Sequence, residues 1–180
     1  MSTEEIENKA ALLLMEFDIY EPFVPVEKIV KGKNIDIVYH DFDEEVSGVL
    51  VIKDNVATIG VNKANSLERK RFTIAHEMAH YSIHWKPMSR SNQEVFVDKD
   101  LFMKFRNTMN NYDREEIRME KEANAFAAAL LMPKHFIENE LNKPEYQKLK
   151  ESDIIQKLAK RFKVSEPAMT YRLANLQMFY

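Results

Sequence analysis

His76-Glu77-Met78-Ala79-His80 lies inside a run of helix-forming residues, 67–85, that contains neither Gly nor Pro. Residues four apart on an α-helix sit about one turn from each other, so both imidazoles can reach one metal ion while the Glu beside the first reaches a water on it. A Zn²⁺ held by nitrogen and oxygen ligands lowers the pKa of such a water towards 7, and a carboxylate can take the proton as the water attacks a carbonyl. The pattern therefore points to peptide-bond hydrolysis, with His76 and His80 as metal ligands and Glu77 as the catalytic base. Phe72, Ile74, Ala75, Met78, Ala79 and Ile83 make this helix apolar on most sides and predict its burial. Two histidines and a glutamate inside a core need a compensating partner such as a metal.

A third ligand is sought downstream. Residues 114–132 read as one helix, with Asp113 as N-cap and Pro133 ending it. Its alanine-rich centre, Glu122-Ala-Asn-Ala-Phe-Ala-Ala-Ala-Leu-Leu-Met132, presents a slim surface that lets another helix approach closely. Glu122 shares a face with Ala125, Phe126 and Ala129, and an inward carboxylate is costly unless it is charge-paired or metal-bound. Glu122 is thus the third-ligand candidate, Glu120 is the neighbouring alternative, and an ordinary surface glutamate is the plain reading.

Three motifs in order carry a resemblance. Ser47-Gly-Val-Leu with Ile59-Gly-Val-Asn, then Arg71-Phe-Thr-Ile-Ala-His-Glu-Met-Ala-His80, then Glu122-Ala-Asn-Ala-Phe-Ala-Ala-Ala-Leu-Leu-Met-Pro133 are similar to the ImmA/IrrE family of zinc metallopeptidases, over roughly residues 26–176. The resemblance implies a zincin-like fold in which His76, His80 and Glu122 bind zinc and Glu77 is the base. It also implies a protein substrate or partner, a helix-turn-helix regulator encoded nearby. Many members carry an N-terminal DNA-binding domain, and the residues ahead of the catalytic region are expected to be too few for one.

Before the zinc helix, Ile35-Ile37-Tyr39, Val49-Val51 and Val56-Thr58-Gly60 alternate as strands do, the last two flanking a Lys53-Asp54-Asn55 turn. With helices expected at 3–17 and 26–31 and a helical remainder, the fold class is α+β: a mostly helical domain with a small antiparallel sheet beside the histidine helix. An edge strand there could take an extended substrate as one more strand. The 180 residues suit a single domain, 1–180. Within it, residues 1–60 hold the N-terminal helices and sheet, 66–85 the zinc helix, 114–132 the Glu-ligand helix and 151–177 a C-terminal helical pair.

The chain contains no cysteine, which removes disulfides, thiolate nucleophiles and Cys-based zinc sites together. Any zinc must then use His and carboxylate, the set expected for catalysis. The acidic start, Met-Ser-Thr-Glu-Glu, is unlike a signal peptide and the Ala-Ala-Leu-Leu-Leu-Met that follows is too short to span a bilayer, so a soluble, cytoplasmic protein without membrane contact is expected. All three glycines, Gly32, Gly48 and Gly60, fall in the first third, which argues against a Gly-rich phosphate loop. Residues 1–60 carry 13 acidic and 5 basic side chains, net −8, which leaves +5 for the rest of a chain whose total is −3. Such asymmetry is read as solvated faces.

Residues 86–111 read as a long polar loop between the two ligand-bearing helices. Residues 153–173 read as helix, turn and helix, with Ser165 as N-cap and Pro167 in the first turn. That pattern keeps DNA binding in view, but Glu166 and Pro167 occupy the base-reading end, and direct DNA binding is not expected. His84 lies about 12 Å along the helix axis from His76, too far to share its ion, and is read as structural or supporting. Tyr81, Tyr112, His135 and Tyr171 are candidate donors to a developing oxyanion; His40 is expected to be exposed. The rival to an endopeptidase is a non-proteolytic zinc-containing binding module of a toxin–antitoxin or regulatory pair, and an intact Glu77 argues against it.

Overall fold

The structure, a computed structural model, describes residues 1–85, the main chain of 93–99, and residues 114–179. Its elements run α1 (Thr3–Glu16), α2 (Val26–Gly32), β1 (Ile35–His40), β2 (Val46–Lys53), β3 (Val56–Asn62), α3 (Leu67–Ala79), a π turn (His80–His84), β4 (Gln93–Lys99), α4 (Arg114–Leu131), α5 (Lys134–Leu141), α6 (Glu151–Phe162) and α7 (Glu166–Asn175). This is the expected α+β class, mostly helical with a small sheet. The chain divides into two compact units: residues 25–127, and residues 1–24 with 128–180.

In the first unit the sheet has the order β1-β3-β2-β4. A two-residue turn at Asp54-Asn55, both at positive φ (51° and 64°), folds β3 back antiparallel on β2. β3 then slots between β2 and β1 and runs parallel to β1, so the sheet is mixed, not purely antiparallel. β4, antiparallel to β2, falls inside the stretch read as loop; the rest of that stretch, with Asp113 and Tyr112, lies outside the described residues. Alternation buries Leu50, Ile52, Ile59 and Val61, and α2 and α3 pack on the sheet. Asn62 pins the β1–β2 connection: its Nδ2 donates to the carbonyls of Phe42, Asp43 and Val46 (3.3, 3.3 and 2.9 Å).

In the second unit a capping box opens α1. The Glu5 amide donates to Ser2 Oγ and the Ser2 amide to Glu5 Oε2 (3.2 and 2.6 Å). α6 ends on Lys163 in the left-handed region (φ 53°), and Ser165 Oγ accepts from the Ala168 amide to start α7, as its sequence predicts. The one basic residue of α7, Arg172, is buried. It donates from Nε to the Met132 carbonyl (2.9 Å) and forks onto the Glu7 carboxylate. Among the described residues no helix is long and apolar enough to cross a membrane.

Candidate metal centre

Ser66 accepts from the Arg69 amide (3.2 Å) and so starts α3 one residue before its first apolar position. Arg69 in turn donates from Nε and Nη2 to Ser47 Oγ on β2 (3.0 and 2.7 Å), tying the first turn to the sheet. The helix sits close on the strand because Gly48 has no side chain: a Cβ there would lie 2.3 Å from Thr73 Cγ2 and 3.4 Å from Glu77 Oε1. A glycine at this position lets a helix carrying a buried carboxylate rest on the sheet. All three motif residues are inside, with His76 1%, Glu77 0% and His80 2% exposed.

The imidazoles of His76 and His80 turn their Nε2 atoms toward each other at 3.1 Å. Glu120 closes the group, with Oε2 3.4 Å from His76 Nε2 and Oε1 3.5 Å from His80 Nε2. Ligands about 2.0–2.1 Å from a tetrahedral Zn²⁺ stand roughly 3.3–3.5 Å apart; the two carboxylate separations match this and the 3.1 Å between the imidazoles is slightly shorter, so the group suits one small ion held by two imidazoles and a carboxylate. The ligand atoms of His76, His80 and Glu120 all lie within 4.8 Å of one another, and the group could hold a metal. Burial, reinforced by the neighbouring His76, pushes the His80 pKa down to about 3, so its imidazole is neutral and in the ligating form.

Glu122, the expected third ligand, does not join this group. Its Oε2 lies 3.2 Å from His84 Nε2 instead. At 100° per residue, Glu120 and Glu122 leave α4 on different faces, and Glu120 shares its stripe with Asn124 and Ala127. Both stripes carry alanine, so periodicity gave no ground for choosing between them. Asn124, whose role the sequence pattern alone does not reveal, belongs to the site as well. It stands one turn after Glu120, and its Oδ1 accepts from His76 Nδ1 (3.0 Å). The signal that could have found it was an amide on the same face as an inward carboxylate.

After Ala79 the helix widens into the π turn, closed by the Trp85 amide on the His80 carbonyl (2.9 Å). This brings His84 Nδ1 to 3.0 Å from His80 Nδ1, so His84 touches the group without belonging to it. Burial lowers the pKa of His84, opposed by its contact with Glu122. Of the oxyanion-donor candidates, Tyr81 stacks on Trp85 at 5.0 Å. Tyr171 is 63% exposed and His135 is exposed edge-on to Phe136, both in the second unit, while His40 is exposed as expected.

Comparison with known proteins accords with this geometry. The profile of the IrrE N-terminal-like domain, a peptidase family, matches residues 30–174. The chain belongs to this family. It thus carries a metallopeptidase-type domain, and the buried His-His-Glu group lies within the matched region. A Mycobacterium tuberculosis transcriptional regulator shares the fold at a TM-score of 0.64 and 17% identity, over 95% of this chain and 46% of that one. This chain thus spans less than half of that regulator's length. A search of curated proteins finds no match.

Proposed function

We propose that this IrrE-type domain is a zinc-dependent endopeptidase that cleaves a specific cytoplasmic regulator, of helix-turn-helix or antitoxin type, encoded nearby. The observation that carries the reading is the set of His76, His80 and Glu120 donor atoms around one point, with a fully buried Glu77 next in sequence to the first of them. His76, His80 and Glu120 would hold the ion, which when bound supplies Lewis acidity toward a water and a scissile carbonyl. Glu77 takes the proton of the attacking water on its carboxylate and returns it to the departing amide nitrogen. Asn124 orients the His76 ring by accepting its Nδ1 proton. Of the two strands at the sheet's edges, β4 packs against α3, and an extended substrate would add beside it through main-chain hydrogen bonds. The likeness in fold to a transcriptional regulator supports a place in regulation.

The test is Glu77→Gln. The variant should keep zinc and its melting temperature, bind the adjacent-gene regulator, and cut it on the order of 10² to 10⁴ times more slowly. If wild-type protein loaded with zinc leaves that regulator intact through long incubation, proteolysis is excluded and a binding module takes its place.

A further inference from the structure

Glu122, His84 and His80 form a chain of contacts that ends at the metal-binding group. Glu122 Oε2 lies 3.2 Å from His84 Nε2, and His84 Nδ1 lies 3.0 Å from His80 Nδ1. Each contact needs one proton between its two heavy atoms, and an ionised carboxylate has none to give. His84 must then carry its proton on Nε2 and donate it to Glu122. A neutral imidazole protonated there has a bare Nδ1, so the hydrogen in the second contact belongs to His80 Nδ1. That assignment leaves His80 Nε2 with its lone pair, directed at His76 and Glu120. On the other side the same arithmetic holds: His76 Nδ1 donates to Asn124 Oδ1 and frees its own Nε2.

We propose that Glu122 and His84 are positioning residues that fix the His80 tautomer, locking its proton on Nδ1 so that Nε2 is always presented to the metal. The inference rests on the metal-site reading above and extends it to the two residues that hold no metal themselves. It also gives the π turn a purpose. The i→i+5 closure seats the His84 ring against His80, with centroids 5.0 Å apart, while leaving it outside the ligand group. Two lone pairs facing each other at 3.1 Å beside a carboxylate repel unless a cation sits among them, so a locked tautomer also tunes this pocket for metal over an empty state.

The test uses the whole chain with histidine uniformly ¹⁵N-labelled. In the metal-free protein the nitrogen shifts should show His80 protonated on Nδ1, and His84→Phe should spread the proton over both nitrogens. Zinc affinity, read by competition with a chelator, should fall 10- to 100-fold in His84→Phe, the usual cost of losing an outer partner of a metal-bound histidine. His84→Gln should regain most of it, since one amide can accept from His80 and donate to Glu122. A wild-type His80 protonated on Nε2 overturns the proposal. So does an unchanged zinc affinity in His84→Phe, or a Gln variant no better than Phe, which would mark His84 as packing only. Should wild-type protein take up no zinc, the metal-site reading falls while the nitrogen shifts still decide the relay.

Discussion

Arg172 in one compact unit and the His76–His80–Glu120 group in the other both place ionisable side chains inside the protein, yet their partners differ in kind. Arg172, 5% exposed, meets a carboxylate and a carbonyl, so every polar atom named there has its complement within the chain. The histidine group instead gathers acceptor atoms: two imidazole nitrogens and a carboxylate within 4.8 Å. The first arrangement stabilises by closing on itself. The second presents acceptors that a cation from outside could complement, and that is what distinguishes a candidate site from a staple.

That contrast is broken most sharply at the ligands. Glu120→Ala, like His76→Ala or His80→Ala, should leave the dialysed protein without zinc by metal analysis, because two protein ligands hold the ion too weakly against dilution. Glu122→Ala should only weaken zinc, within the 10- to 100-fold range expected of an outer partner. The reverse ranking of the two glutamates would mean that the carboxylate facing the histidines here is not the one that binds.

A smaller effect tests the closed pair. Glu7→Ala removes the partner of a buried guanidinium and should cost about 2–3 kcal/mol in urea unfolding, with zinc content unchanged. A loss of zinc in this variant would show that Arg172 is not merely a staple.

The smallest effect is the pH dependence of the metal-free protein. Folding lowers the His80 pKa to about 3 and also lowers that of His84, so between pH 3 and the ordinary value near 6.5 the unfolded chain holds protons that the folded chain excludes. Stability is then complete above about pH 6.5 and falls as pH drops towards 3, by at most about 1.4 kcal/mol per pH unit for each such proton. Urea midpoints at pH 7.5 and 5 should show the loss, and His80→Gln should shrink it. A flat profile in wild type would mean the histidines are not buried neutral.

Much of the architecture was legible because it is local. Capping at Ser66 and Ser165, the Asp54-Asn55 turn and the strand alternation each depend on a few neighbouring residues, and these features appear where the sequence places them, although β2 starts three residues before Val49. Two readings failed for a shared reason. The parallel pairing of β1 with β3 and the strand β4 are decided by which strand finds which edge, and pairing between segments distant in sequence leaves no mark on a strand's own pattern. The choice between Glu122 and Glu120 is open in the sequence for the same cause: both lie on alanine-bearing stripes of α4, and only the position of α3 sets which stripe faces the histidines.

By itself, then, the sequence determined that His76, Glu77 and His80 share a helix and that any metal here must be held without cysteine, since helical spacing and composition are properties of the chain alone. Tertiary structure decided the rest of the site. It brought Glu120 across to the histidines, set Asn124 on His76, made room for Glu77 at Gly48, and turned His84 through a π turn onto Glu122. These contacts join residues about 30 to 50 positions apart, and side chains that far apart in sequence meet only when packing fixes how their helices and strands lie against one another.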